Sequence, residues 1–163
     1  MKHPKLTRFL HWSTAFIFIL AWLIGFYSGN FLTYAVDGNF KADVVTLHKN
    51  IATLIIFLFI FRITWRYIRP FPHSEKKIVN IVHFLLYLVL ILLPLSGCLF
   101  SWTAGHPAPV MYLFNLPQLI NKNQDLVKFF KPFHIYFAWI TGALVLLHIL
   151  AALKHHFLTK IIY

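Results

Sequence analysis

Four long apolar runs, separated by short polar or proline-bearing stretches, organise this chain. They cover about residues 7–28, 43–67, 77–102 and 129–153. Each is as long as the ~20 residues a helix needs to cross ~30 Å of hydrocarbon, or close to it. Gly29, Asn30, Asp37, Gly38 and Asn39 mark a loop after the first run, and Pro70 and Pro72 force a turn after the second. Pro94 lies inside the third and predicts a kink near Leu90. The longest connection, about 103–128, carries Pro107, Pro109 and Pro117. Its middle, Val110 to Ile120, is apolar and aromatic and reads as a short helix lying in the membrane interface. The pattern predicts an all-α integral membrane protein, one domain over 1–163, folded as an up-down-up-down four-helix bundle.

Composition agrees with that reading. Of 163 residues, 60% are hydrophobic and only 12% charged, about half the share in a soluble domain. The first run is longer than a signal-peptide core, lacks a small-x-small cleavage site, and reads as a retained span. The net charge of +11 does not point to nucleic acid, because Lys and Arg sit beside the apolar runs as juxtamembrane charges do. Lys2, Lys5, Arg8, Arg62, Arg66, Arg69, Lys76, Lys77, Lys154 and Lys160 gather on one side of the bundle. Lys41, Lys122, Lys128 and Lys131 lie on the other, diluted by Asp37, Asp43 and Asp125. Both termini and the second loop are therefore expected in the cytoplasm. The one cysteine, Cys98, excludes an intrachain disulfide, a Cys-based metal cage and a C-x-x-C-H attachment of haem.

The chemistry is carried by histidine. The fourth run holds His134 and His148, fourteen positions apart, which puts both on one helical face about 21 Å apart along the axis. Imidazoles inside a membrane helix are costly without partners. Depth supplies them: His48 falls at the level of His134, and His11 at the level of His148. Two stacked bis-histidine sites follow. Imidazole is a standard axial ligand of haem, and a bundle core is a known cofactor site. Ala138, Thr141 and Val145 lie on the same face between the two histidines and leave room for a flat ring. Zinc or copper is less suited, since each level offers two histidines and no carboxylate or thiolate to complete a shell.

His83, near the start of the third span, finds no partner left at its level and reads as a neighbour of a propionate or a quinone. Arg62 and Arg66, one turn apart, either clasp propionates of the inner haem or snorkel to lipid phosphates. His155, two turns beyond His148, is placed to hydrogen-bond a quinone and deliver a proton, or with His156 belongs to a basic anchoring tail. His3, His73 and His106 read as solvated loop residues.

These residues together resemble the bacterial cytochrome b561 family, of the small four-helix dihaem kind that includes a superoxide oxidase. The resemblance spans essentially the whole chain. It rests on His11-Trp12, on His48 with Arg62 and Arg66, on His83 with Leu93-Pro94-x-x-Gly97, and on His134 with His148 and His155-His156. It implies a multi-pass protein of the bacterial inner membrane that binds two haem b groups, His11 and His148 on one iron and His48 and His134 on the other. It also implies electron transfer to the quinone pool, with superoxide oxidised near the periplasmic face and ubiquinone reduced near His155. Lys122, Lys128 and Lys131 would steer the anion. The alternative within the same resemblance is an electron-relay subunit fed by a dehydrogenase or another redox protein. The chain is expected as a monomer or weak oligomer.

Overall fold

A computed structural model describes residues 5–69 and 77–158, apart from the side chains of His156 and Leu158. The turn at Pro70 and Pro72, and His3 and His73, lie outside the described residues. The helices are α1 (Lys5–Asn30), α2 (Tyr34–Ile68), α3 (Lys77–Thr103) and α4 (Gln124–Leu158), with strands β1 (Ala108–Val110) and β2 (Phe114–Leu116) between α3 and α4. All four helices are long and apolar enough to cross a membrane. In lipid every backbone polar group must be satisfied within the chain, and a helix does this without help from neighbours. α1 packs on α2, α2 on α3 and α3 on α4. The remaining seam is bridged by Trp22, whose Nε1–H donates to the Ala138 carbonyl at 2.8 Å.

Two helices begin earlier than the apolar runs do. α2 starts at Tyr34 because Gly38, at φ 44°, joins two helical segments across a kink. Asp37 secures the first turn: its carboxylate accepts from the Thr33 amide at 2.5 Å, while its own amide donates to the Thr33 carbonyl. α4 starts at Gln124 because Asn123 Oδ1 accepts from the amides of Asp125 and Leu126. α3 continues through Pro94, and α4 through Pro132, as single helices.

The expected interfacial helix at 110–120 does not form. That segment is instead an antiparallel hairpin, Ala108 opposite Leu116 and Val110 opposite Phe114. Pro109 and Pro117 leave too short a stretch for helix, and α2 supplies partners that a helix would forgo. Thr53 Oγ1 donates to the Pro109 carbonyl at 2.6 Å, and Asn50 Oδ1 accepts from the Tyr112 amide at 2.6 Å. Met111 and Tyr112 both take positive φ in the turn, 49° and 59°, a left-handed pair that non-glycine residues seldom adopt. Asn50 and Thr53 are themselves buried. These long-range bonds decide the local structure.

The core has two layers. A central one joins Phe18, Ala21, Ile55, Leu90 and Leu93, with Trp22, Phe137, Ala138 and Val145 packed around it. A second, beneath the hairpin, joins Cys98, Trp102 and Ala108. Outside them Phe16, Leu23, Phe61, Phe84, Ile140 and Leu147 are exposed around the bundle. So much outward-facing apolar surface suits lipid, not water. The bundle thus has a hairpin end and a terminus end, which serve as reference points below.

Candidate cofactor sites in the bundle core

At the hairpin end, His48 from α2 and His134 from α4 face each other with ring centroids 6.4 Å apart and planes at 64°. Each ring is oriented by a partner on a third helix. His48 Nδ1 lies 2.8 Å from the Ala21 carbonyl on α1; a carbonyl only accepts, so the proton is on Nδ1. His134 Nδ1 lies 2.8 Å from Ser96 Oγ on α3. That hydroxyl spends its proton on the Leu93 carbonyl at 2.7 Å, so here too the imidazole donates from Nδ1. Both rings are left with an unprotonated Nε2, whose lone pair is free to ligate a metal.

The space around them is set by glycine. A Cβ on Gly25 would stand 2.7 Å from His48 Cε1, and one on Gly97 would stand 3.1 Å from His134 Cε1. Two helix backbones therefore press on the rings where any side chain would push them aside. Metal–imidazole bonds are about 2.0–2.1 Å, and with the ring centre about 1 Å beyond the nitrogen, two imidazoles on one metal have centroids about 6 Å apart. The observed spacing suits that arrangement. Among the described residues no three His, Cys, Asp or Glu side chains form a group for a bare ion. A pair of imidazoles suits a metal that carries its own in-plane ligands, as haem iron does. The donor set at this end fits haem.

The terminus end is more crowded than the sequence implies. His83 does have a neighbour at its level: its ring centroid is 5.9 Å from that of His148. His11 stands within electrostatic reach of Arg62, His148 and His83. Three imidazoles share this level instead of two. Residue depth gives the level, but only packing decides which side chains on α1, α3 and α4 turn inward. His11 Nδ1 accepts from Arg62 Nη2 at 3.1 Å, because a guanidinium has no lone pair to offer. His11 therefore carries its proton on Nε2, the tautomer opposite to that of His48 and His134. For His11 to ligate through Nε2, Arg62 must turn to another acceptor, which a propionate would supply.

Tyr87 holds both arginines. Arg62 Nε donates to its hydroxyl at 3.2 Å, and the guanidinium carbons of Arg62 and Arg66 lie 5.1 and 5.5 Å from its ring centre. Among the described residues the acids, Asp37, Asp43 and Asp125, belong to the opposite end, so no described carboxylate stands beside this cationic group. Sequence reading missed Tyr87, although it follows His83 by one helical turn. It also missed Ser96, which precedes the glycine of Leu93-Pro94-x-x-Gly97, and Gly25, one turn after Ala21.

Of the remaining candidates, His155 is exposed near the end of α4 and His106 is an exposed loop residue. Thr141 is fully buried, and Ala138 and Val145 pack in the central layer. Lys122, Lys128 and Lys131 are all exposed at the hairpin end. Lys128 pairs with Asp125 at 2.8 Å, and Lys131 lies one turn before His134.

The family model for prokaryotic cytochrome b561 matches residues 2–162. Cytochrome b561 homolog 2 of Escherichia coli (strain K12) is 30% identical, over 98% of this chain and 87% of that protein. A probable superoxide oxidase CybB of Yersinia pestis is 27% identical, over 98% of this chain and 91% of that protein. Cytochrome b561 homolog 1 of Escherichia coli (strain K12) is 25% identical, over 98% and 92% respectively.

Proposed function

The chain belongs to the prokaryotic cytochrome b561 family, a family of haem b electron-transfer proteins of the bacterial membrane, and from that premise we propose that it is a dihaem cytochrome oxidising superoxide and reducing ubiquinone. Two superoxide anions would yield two molecules of oxygen and two electrons, which with two protons convert one ubiquinone to ubiquinol. Haem b, when bound, supplies one-electron transfer. The observation that carries the reading is the His48–His134 pair, two imidazoles with matched tautomers at a separation suited to a shared metal.

His48 and His134 would hold the haem at the hairpin end. His11 and His148 would hold the second, with Arg62 and Arg66 taking its propionates and His83 beside it. The terminus end carries Lys5, Arg8, Arg62, Arg66, Arg69, Lys77 and Lys154, and basic residues favour the cytoplasmic side. Superoxide would then arrive from the periplasm towards the exposed Lys122, Lys128 and Lys131. Quinone would bind near His155, where protons from the cytoplasm are at hand. The name of the Yersinia pestis relative supports this choice of donor.

The test is rapid mixing of the oxidised, haem-loaded protein with superoxide. Haem reduction at near-diffusion rates, followed by ubiquinone consumption, is expected; no reduction without an added dehydrogenase would sink the superoxide reading. That second outcome is what an electron-relay subunit would give. One observation favours the relay: the hairpin leaves Tyr112 and Leu113 exposed by 68% and 81%, an apolar tip on which a redox partner could dock.

A further inference from the structure

Ser96 sits two residues after Pro94 on α3, with 3% of its surface exposed. Its one proton goes to the Leu93 carbonyl and its lone pair receives His134 Nδ1–H. The next residue, Gly97, has His134 Cε1 3.1 Å from where its Cβ would stand, so the lack of a side chain there lets the ring lie close against α3 beside the hydroxyl. His48 is oriented in the same sense by a backbone carbonyl, which no substitution can delete. Of the two outer ligand candidates, then, only His134 is oriented by a side chain.

We propose that Ser96 is a positioning residue that fixes the His134 tautomer and lowers the reduction potential of the hairpin-end haem alone. A hydrogen bond accepted from Nδ1–H makes the imidazole a more basic ligand, which favours the oxidised iron, and such bonds are one of the means by which a protein sets a haem potential. The proposal rests on the dihaem reading above. It adds that the two haems are tuned separately, since Ser96 touches one level only.

Redox titration of the purified holoprotein, followed at its haem absorption bands, tests this with Ser96→Ala and Ser96→Thr. In Ser96→Ala one component should move to higher potential by on the order of tenfold in its reduction equilibrium, or about 59 mV for a one-electron couple. The other should stay in place, and Ser96→Thr, which keeps the hydroxyl, should restore the parent curve. The component that moves should be the one lost in His134→Ala. Two unmoved components, equal movement of both, or a downward shift would overturn the proposal and leave the dihaem reading intact. A downward shift would mean that His134 had turned to the nearby Leu93 carbonyl. A parent protein without haem would overturn both.

Discussion

His48 and His134 meet 6.4 Å apart in the core, one ring tied to α1 and the other to α3. All four helices therefore take part in one site: two supply the imidazoles and two aim them. The Ala21 carbonyl and the Ser96 hydroxyl are as much part of the site as the two imidazoles, and this has consequences that can be measured.

Replacing one of the proposed haem ligands should empty its level. His134→Ala is expected to halve the haem-to-protein ratio and leave one component in a redox titration, and His148→Ala should remove the other component. Loss of both haems from either variant would show that the two sites assemble as one unit.

Gly25 and Gly29 lie one turn apart on α1 but should respond oppositely to alanine. An added Cβ at Gly29 meets nothing within 4 Å, so Gly29→Ala should gain up to about 1 kcal/mol from helix propensity. At Gly25 the same methyl would meet His48 at 2.7 Å, and overpacking of about 1–3 kcal/mol outweighs that gain. Thermal unfolding in detergent, together with the haem-to-protein ratio, should show Gly25→Ala lower in both and Gly29→Ala lower in neither.

Asn50→Ala should release the hairpin. It removes the acceptor of the Tyr112 amide, in a turn where two non-glycine residues already hold positive φ. Loss of a buried partner costs about 1–3 kcal/mol. Hydrogen exchange at residues 110–114 should accelerate roughly tenfold or more while the middle of α2 is unchanged. Unaltered exchange in the hairpin would mean that Thr53 alone holds it.

Anion steering by the three lysines should be unequal. Lys122→Gln and Lys131→Gln are each expected to slow superoxide-driven haem reduction several-fold and to flatten its dependence on ionic strength. Lys128→Gln should do less, because its charge is already offset by Asp125. Stopped-flow rates at two salt concentrations decide this, and a rate indifferent to salt would remove steering from the account.

Much of the site was legible because histidine is rare and costly in a membrane helix, and because helical rise converts spacing into depth. The levels of His11, His48, His134 and His148 follow from that arithmetic. His83 shows where it stops: its depth matches His148, but only the rotation of α3 against α4 brings the rings to 5.9 Å. Tyr87 and Ser96 escaped notice because neither residue type announces a cofactor. Each gains its role from the residue it touches on another helix.

The sequence by itself determined the four spans, the levels of the histidines and the charge bias between the two ends. A bilayer accepts few structures, and a long apolar run has one economical way to satisfy its backbone. Only the tertiary structure decided the tautomers, the close approach at Gly25 and Gly97, and the hairpin in place of an interfacial helix. Those depend on contacts between residues far apart in the chain, such as Asn50 with Tyr112 and His134 with Ser96, whose geometry no local pattern encodes.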